Sequence, residues 1–120
     1  MASSSRTIAI ELARLALARH CRDVVVLDLR GLSPVTDFFV IATGTSARQM
    51  ASLAQEMSDI ASSSPLSVDG LSQGSWVLLD LFDVVVHLFD ADHRSYYDLE
   101  MLWGDAPKTR WKKPASKQPK

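Results

Sequence analysis

Four short apolar runs, rich in β-branched residues, constrain this chain more than any other feature of its sequence. They are Val24–Leu29, Phe38–Thr43, Trp76–Leu81 and Val84–Phe89. Runs of this length and composition are typical of strands in a buried sheet. They are far shorter than the ~20 apolar residues that a membrane-spanning helix needs. A chain of 120 residues with such runs therefore predicts one globular domain with a single core and no membrane span.

Three amphipathic patterns alternate with these runs. Apolar residues recur at helical spacing over Ile8–Ala16, which predicts an N-terminal helix. Ser46 stands three residues before Gln49, the spacing of a capping box, and the helix it starts is predicted to stop before Pro65. A last helix is predicted over Arg94–Trp103.

The order of these elements predicts the fold class. Helices and strands alternate as α-β-β-α-(β)-β-β-α, which favours an α/β domain with a mixed sheet of four or five strands flanked by helices. The optional strand is a short extended stretch at Leu66–Val68, and Phe82–Asp83 predicts a tight hairpin between the last two strands. We assign residues 1–104 to this domain. Residues 105–120 are rich in Lys, Pro and Ser and are predicted to form a disordered basic tail.

The formal net charge of −1 combines two opposed parts. Residues 1–103 carry seven arginines and thirteen carboxylates, a net charge of −6, whereas residues 104–120 carry six basic residues and one carboxylate, a net charge of +5. An acidic domain repels nucleic acid and attracts basic partners. The basic tail could instead contact RNA phosphates.

Two patterns could support enzyme chemistry, and each has a plainer interpretation. The turn Gly44–Ser46 precedes a helix and could hold a phosphate, but it has a single glycine and also fits an ordinary capped turn. Asp28, Asp37, Asp80 and Asp83 stand at predicted strand ends or turns. A two-metal site needs paired carboxylates on one face, and no strand offers an Asp-x-Asp pair. We therefore predict no catalytic residue, metal or cofactor.

His87 and Cys21 are the remaining reactive side chains. His87 lies near Asp92 and His93 and could join a metal site, although a hydrogen-bonded structural histidine also fits. Cys21 has no CxxC partner, which predicts an inert thiol in a reducing compartment. No signal-peptide core is present, so the cytoplasm is the simplest location, while a Ser- and Arg-rich N-terminus leaves an organellar transit peptide open.

Aromatic and charged residues concentrate in the last third of the domain. They include Trp76, Asp80, Asp83, Arg94, Tyr96, Tyr97, Asp98, Glu100 and Trp103. Trp, Tyr and Arg are the residue types of interface hot spots, but the same aromatics could pack the last helix on the sheet. From the residues alone, the prediction is an acidic binding module.

A set of ordered motifs resembles the ribosomal silencing factor (Iojap) family. The motifs are Leu27-Asp28, Ser33-Pro-Val-Thr-Asp37, Phe39-Val-Ile-Ala-Thr-Gly-Thr-Ser46 with Arg48, Trp76-Val-Leu-Leu-Asp80, Asp83-Val-Val-Val-His87 and Arg94-Ser-Tyr-Tyr-Asp-Leu-Glu-Met-Leu-Trp103. The resemblance extends from about Ile8 to Trp103. Phe82 departs from it, because members commonly have a small turn residue there, and we expect the tail to lie outside the shared pattern.

The resemblance implies a non-catalytic α/β domain that is related in shape to nucleotidyl transferases but lacks their metal carboxylates. It implies a homodimer in solution and a translational repressor that uses no cofactor. The family's role is to bind the large ribosomal subunit through the fourteenth large-subunit ribosomal protein. There it sterically blocks association with the small subunit when nutrients are scarce.

The resemblance also assigns roles to matching residues. The positions expected to bind the ribosomal protein are Trp76, Asp80, Asp83, Arg94, Tyr97, Leu99 and Glu100. Their carboxylates would pair with Lys or Arg of the partner, and Trp76 and Tyr97 would be rigid aromatic anchors. His87 and Trp103 are expected to support the sheet and the last helix. A nucleotidyl transferase-like enzyme and a general acidic interaction module are the alternative functions.

Overall fold

Five strands and two helices make up the part of the chain that the computed structural model describes, residues 5–34, 36–61, 67–70, 76–81, 83–91 and 106–112. The elements are α1 (Ser5–Ala18), β1 (Arg22–Asp28), β2 (Phe38–Thr43), α2 (Ala47–Ala61), β3 (Ser67–Asp69), β4 (Trp76–Asp80) and β5 (Val84–Phe89). The four predicted strands and the first two predicted helices are confirmed, with small differences at their ends. The predicted last helix, Arg94–Trp103, lies outside the described residues.

The strands form one mixed sheet in the order β1-β2-β5-β4-β3. β2 and β5 are parallel, and every other neighbouring pair is antiparallel. The prediction of an α/β fold with a mixed sheet of up to five strands is therefore confirmed. β4 and β5 form the predicted hairpin, closed where the Leu81 amide donates to the Val84 carbonyl at 2.9 Å. Phe82, in the turn, lies outside the described residues.

Apolar side chains cover both faces of the sheet. On the first face, α1 and α2 pack Leu12, Met50 and Leu53 against strand residues that include Val40 and Val86. On the second face a smaller cluster contains buried Leu27, Leu29, Ile41, Phe89 and Ala106, with Phe39, Trp76 and Val25 partly buried against it. This two-sided burial explains why the strands read as continuous apolar runs rather than as an alternation of apolar and polar residues.

The C-terminal end of α1 is closed by a Schellman motif. The Cys21 amide donates to the Ala16 carbonyl at 3.0 Å, and the His20 amide donates to the Leu17 carbonyl at 3.0 Å. His20 adopts a left-handed conformation with φ of 74°. Glycine is the usual residue at this position, because a Cβ atom is disfavoured in the left-handed region.

We expect His20→Gly to raise the free energy of unfolding by about 0.5–1 kcal/mol, because the strain relieved exceeds the added flexibility of the unfolded chain. Urea unfolding measures the change. His20→Ala is the matched control, since it removes the imidazole but keeps the Cβ atom. A similar gain for both variants would show that the imidazole, and not the backbone conformation, is unfavourable.

The C-terminal segment, residues 106–112, lies along the outer edge of β1. The Asp28 amide donates to the Pro107 carbonyl at 2.8 Å, and the Thr109 amide donates to the Val26 carbonyl at 2.8 Å. Leu27 and Lys108 form an antiparallel bridge between these two bonds. The segment therefore satisfies main-chain groups that an edge strand would otherwise expose.

The prediction of a disordered tail is wrong for residues 106–112. Ala106 is buried with the second-face cluster, and Trp111 packs against the cluster under the helices. Burial of these side chains, together with main-chain pairing to β1, outweighs the unfavourable charge and proline content on which the prediction rested. The boundary of the folded domain consequently lies beyond residue 104, while residues 113–120 are outside the described part of the chain.

Candidate partner-binding site

Four carboxylates lie along one end of the sheet, which we call the acidic end: Asp28, Asp37, Asp80 and Asp83. Asp28 and Asp80 are the last residues of β1 and β4, and Asp37 and Asp83 immediately precede β2 and β5. The pairing register places these strand termini side by side. Residues separated by up to 55 positions in the sequence thus share one edge, which agrees with their predicted location at strand ends and turns.

Asp28 and Asp37 are held by partners on the same surface. Arg30 donates from Nε and Nη2 to the two oxygens of Asp28 at 3.0 and 2.8 Å. These hydrogen bonds lower the pKa of Asp28. Asp37 accepts a hydrogen bond from the Ser5 hydroxyl at 2.9 Å. The acidic end is therefore fixed to β1 and α1 on one side.

Asp83 contributes to the fold through its main chain. Its carbonyl accepts hydrogen bonds from the amides of Asp37 and Phe38 at 2.9 and 3.1 Å, and its amide donates to the Leu81 carbonyl at 3.1 Å. The residue is exposed. A substitution that keeps the backbone conformation leaves these bonds intact, so the carboxylate can be tested separately from the fold.

Trp76 and His87 form one aromatic unit on the second face. The Trp76 indole Nε1–H donates to His87 Nδ1 at 3.1 Å, and Trp76 stacks on Phe89 with 5.2 Å between ring centroids. The Phe39 ring packs edge-on against the imidazole, with 4.5 Å between the ring centroids. His87 is only 4% exposed, and burial lowers its pKa to about 4. An imidazole whose Nδ1 accepts from an indole is neutral, and it fixes the orientation of the Trp76 ring.

Only part of the predicted partner-binding set can be placed. Half-buried Trp76 and Asp80 occupy alternate positions at the two ends of β4, and Asp83 lies one short turn beyond Asp80. The five other predicted site or support positions lie outside the described residues: Arg94, Tyr97, Leu99, Glu100 and Trp103. The contact and support roles of all these positions remain predictions.

The Gly44–Ser46 turn is a capped helix start. Ser46 Oγ accepts from the Gln49 amide at 3.0 Å, and Gln49 Oε1 accepts from the Thr45 amide at 2.8 Å. These side chains occupy amides that a phosphate would need. A Cβ atom at Gly44 would overlap the buried Met50 side chain, which gives the glycine a packing role. The geometry therefore favours an ordinary capped turn over a phosphate site.

The described residues also allow a search for a metal cluster, a membrane-spanning helix and a reactive thiol. Within those ranges, no three His, Cys, Asp or Glu side chains come together as a metal site would require. Neither α1 nor α2 is long and apolar enough to cross a membrane. Cys21 is buried, and this burial raises the pKa of its thiol, as expected of an inert cysteine.

Sequence reasoning missed the ordered C-terminal segment. Lys108, Arg110 and Lys112 are exposed, whereas Thr109 and Trp111 between them are half-buried. This period-two alternation is a strand signal. The high Lys and Pro content of the surrounding residues obscured it.

A family model decides the relationship of this chain to known proteins. The model described as "Ribosomal silencing factor during starvation" matches residues 2–120. This chain belongs to the ribosomal silencing factor family. The resemblance predicted from the motifs is confirmed. The expectation that the tail lies outside the family pattern is wrong, because the match continues through the C-terminal segment.

Relatives and solved structures agree with membership of the silencing factor family. The ribosomal silencing factor of Bacillus subtilis is 46% identical over 92 residues, covering 74% of this chain and 78% of that protein. The chloroplastic protein Iojap of Arabidopsis thaliana is 36% identical over 106 residues, covering 87% of this chain and 44% of that protein. A crystal structure from Chromobacterium violaceum superimposes with a TM-score of 0.78 at 30% identity, covering 96% of this chain and 98% of the other.

Proposed function

We propose that this chain is a translational repressor that binds the large ribosomal subunit through the fourteenth large-subunit ribosomal protein and blocks association with the small subunit. Nutrient limitation is the condition under which we expect it to act. The observation that carries the proposal is the family match over residues 2–120, whose description names silencing during starvation. The 46% identity to a Bacillus subtilis protein named ribosomal silencing factor supports it further.

The acidic end supports a basic protein as the partner. Four carboxylates share this edge, where Asp28 forms an ion pair with Arg30. Such a surface steers a basic partner and disfavours direct contact with nucleic acid. Asp80, Asp83 and Glu100 would pair with Lys or Arg of the ribosomal protein, and Arg94 and Leu99 are further predicted contact positions.

Aromatic anchors complete the proposed surface. Trp76 is half-buried and oriented by its hydrogen bond to His87. A ring that is already fixed loses little conformational entropy on binding. Trp76 and Tyr97 would be the anchors, and His87 and Trp103 would hold the sheet and the last helix in place.

The proposal also covers the need for a cofactor, the oligomeric state, the location and a contact with RNA. Steric blocking needs neither a catalytic residue nor a cofactor. Off the ribosome we expect a homodimer, in the cytoplasm, and on the ribosome the basic C-terminal residues would contact ribosomal RNA near the protein partner.

Co-sedimentation with isolated large subunits at moderate salt tests this function. We expect the chain to sediment with large subunits and to stay in the supernatant with small subunits alone. Failure to sediment with large subunits would refute the proposal. Capture of a different basic protein from a lysate, without large subunits, would instead favour a general interaction module.

Nucleotide binding tests the enzyme alternative. A nucleotidyl transferase would bind a nucleoside triphosphate with magnesium, and isothermal titration calorimetry measures this directly. We expect no heat of binding, since side chains already accept from the Thr45 and Gln49 amides at this helix start. Magnesium-dependent binding would contradict the non-enzymatic account.

A further inference from the structure

The C-terminal segment presents three cations in a fixed arrangement. Lys108, Arg110 and Lys112 are exposed, and none of them has an ion pair within the part of the chain that the structure describes. Main-chain bonds to Val26 and Asp28 hold the segment against β1. These charges are therefore positioned before any partner binds, unlike those of a disordered tail.

The spacing of the first two cations suits a nucleic-acid backbone. Lys108 and Arg110 are two residues apart along an extended segment, a separation of about 7 Å on one side of the strand. This is comparable with the distance between successive phosphates along one nucleic-acid strand. The segment runs from the acidic end toward the start of β1, so its positive charges extend away from most of the carboxylates.

A groove lies beside the end of this segment. Half-buried Trp111 borders it together with Leu15, Leu17 and Ile60, and its volume is about 660 Å³. Leu17 is 43% exposed. The groove therefore combines an aromatic ring with apolar walls, the surface on which unstacked bases bind.

Arg14 and Lys112 are the cations that line the groove among the described residues. Arg14 Nε donates to the Trp111 carbonyl at 2.7 Å, which leaves other guanidinium N–H groups available for a ligand. Lys112 also lines the groove, and Glu11 is the one carboxylate among its described lining residues. Phosphates on Arg14 and Lys112 would place an attached base against Trp111.

We propose that the C-terminal segment and the adjacent groove bind single-stranded RNA, with Lys108 and Arg110 on successive phosphates along one side of the segment and a base farther along the RNA against Trp111 on the other side. An acidic protein would use the cations but would not need the aromatic groove. On the ribosome this site rests on the proposed function, since the RNA would be an exposed ribosomal strand close to the protein partner.

Fluorescence anisotropy with a labelled 12-nucleotide oligouridylate tests the phosphate contacts. We expect the full chain to bind the probe, and the Lys108→Ala/Arg110→Ala variant to lower the slope of log affinity against log salt by about 1.4, because each single-strand phosphate contact contributes about 0.7. Arg6→Ala/Arg48→Ala is the matched control, since it removes two exposed positive charges elsewhere. Its slope should equal that of the wild type.

Trp111→Leu tests the base contact separately. Leucine retains apolar packing but cannot stack, so affinity should fall at least about fivefold with an unchanged salt slope. A melting curve checks the fold. Should this variant unfold, Lys108→Ala/Arg110→Ala still decides the question, because both side chains are exposed.

Equal slopes for the two double variants would overturn the inference, and so would competition by a 12-residue oligoglutamate as effective as that by unlabelled RNA. The proposed function is judged separately. A wild type that sediments with large subunits but shows no change of slope on Lys108→Ala/Arg110→Ala retains the function and loses the RNA site. A wild type that binds oligouridylate but not large subunits retains the RNA site and loses the proposed function.

Discussion

Replacing Asp83 by lysine is expected to weaken binding to large ribosomal subunits at least about tenfold while leaving the fold intact. The substitution would place a positive charge against the Lys or Arg residues of a basic partner, and juxtaposed like charges cost several kcal/mol. The fold should survive because Asp83 is exposed and, within the part of the chain that the structure describes, its hydrogen bonds all come from its main chain. Titration of labelled protein with large subunits measures the affinity, and a melting curve measures the stability.

Asp59→Lys is the matched control for this experiment. Asp59 is exposed on α2, on the face of the sheet opposite Trp76, and the substitution changes the net charge by the same two units. We expect its affinity to stay within about twofold of wild type. Equal losses for both variants would mean that overall charge, and not the acidic end, controls binding. Unfolding by Asp83→Lys would show that a core position had been mistaken for a contact.

Acidification from pH 6.5 to pH 4 is expected to lower the free energy of unfolding by about 3 kcal/mol through His87 alone. Burial lowers the pKa of His87 from 6.5 to about 4 in the folded protein. In this window the unfolded chain takes up a proton that the folded protein excludes, so stability is lost as the pH falls. Above about pH 7.5 the imidazole is neutral in both states and adds no pH dependence.

Urea unfolding followed by tryptophan fluorescence between pH 4 and pH 7.5 measures this effect. His87→Gln is the control, since its amide oxygen can accept the Trp76 indole N–H but does not titrate. On acidification, the free energy of unfolding of this variant should fall less than that of the wild type, and the difference should be about the 3 kcal/mol assigned to His87. A wild-type curve that is flat over this window, or an equally steep curve for His87→Gln, would contradict a buried neutral imidazole.

Local signals in the sequence predicted local structure well. Ser46 Oγ accepts from the Gln49 amide as the capping-box spacing predicted, whereas Gln49 Oε1 accepts from the Thr45 amide, one residue before the cap. β2 and β5 have the predicted bounds. These features depend on residues that are close in sequence, so spacing and composition suffice to identify them.

Long-range arrangement was harder to predict. The parallel pairing of β2 with β5 brings Phe38 beside Val84, and no short motif encodes such a contact. The same pairing gathers the four carboxylates into the acidic end, which sequence reasoning had placed only at separate strand ends. The C-terminal segment was missed because its order depends on the edge of β1, about 80 residues earlier in the chain.

The central claim, that the bound protein blocks subunit association, is tested most directly by light scattering during subunit joining. Large subunits are saturated with the protein, and binding is verified by sedimentation before small subunits are added. We expect the increase in scattering to disappear in proportion to the fraction of large subunits occupied, and to return with Asp83→Lys at the same concentration. A full increase in scattering while the wild-type protein stays bound to the large subunit would contradict the account.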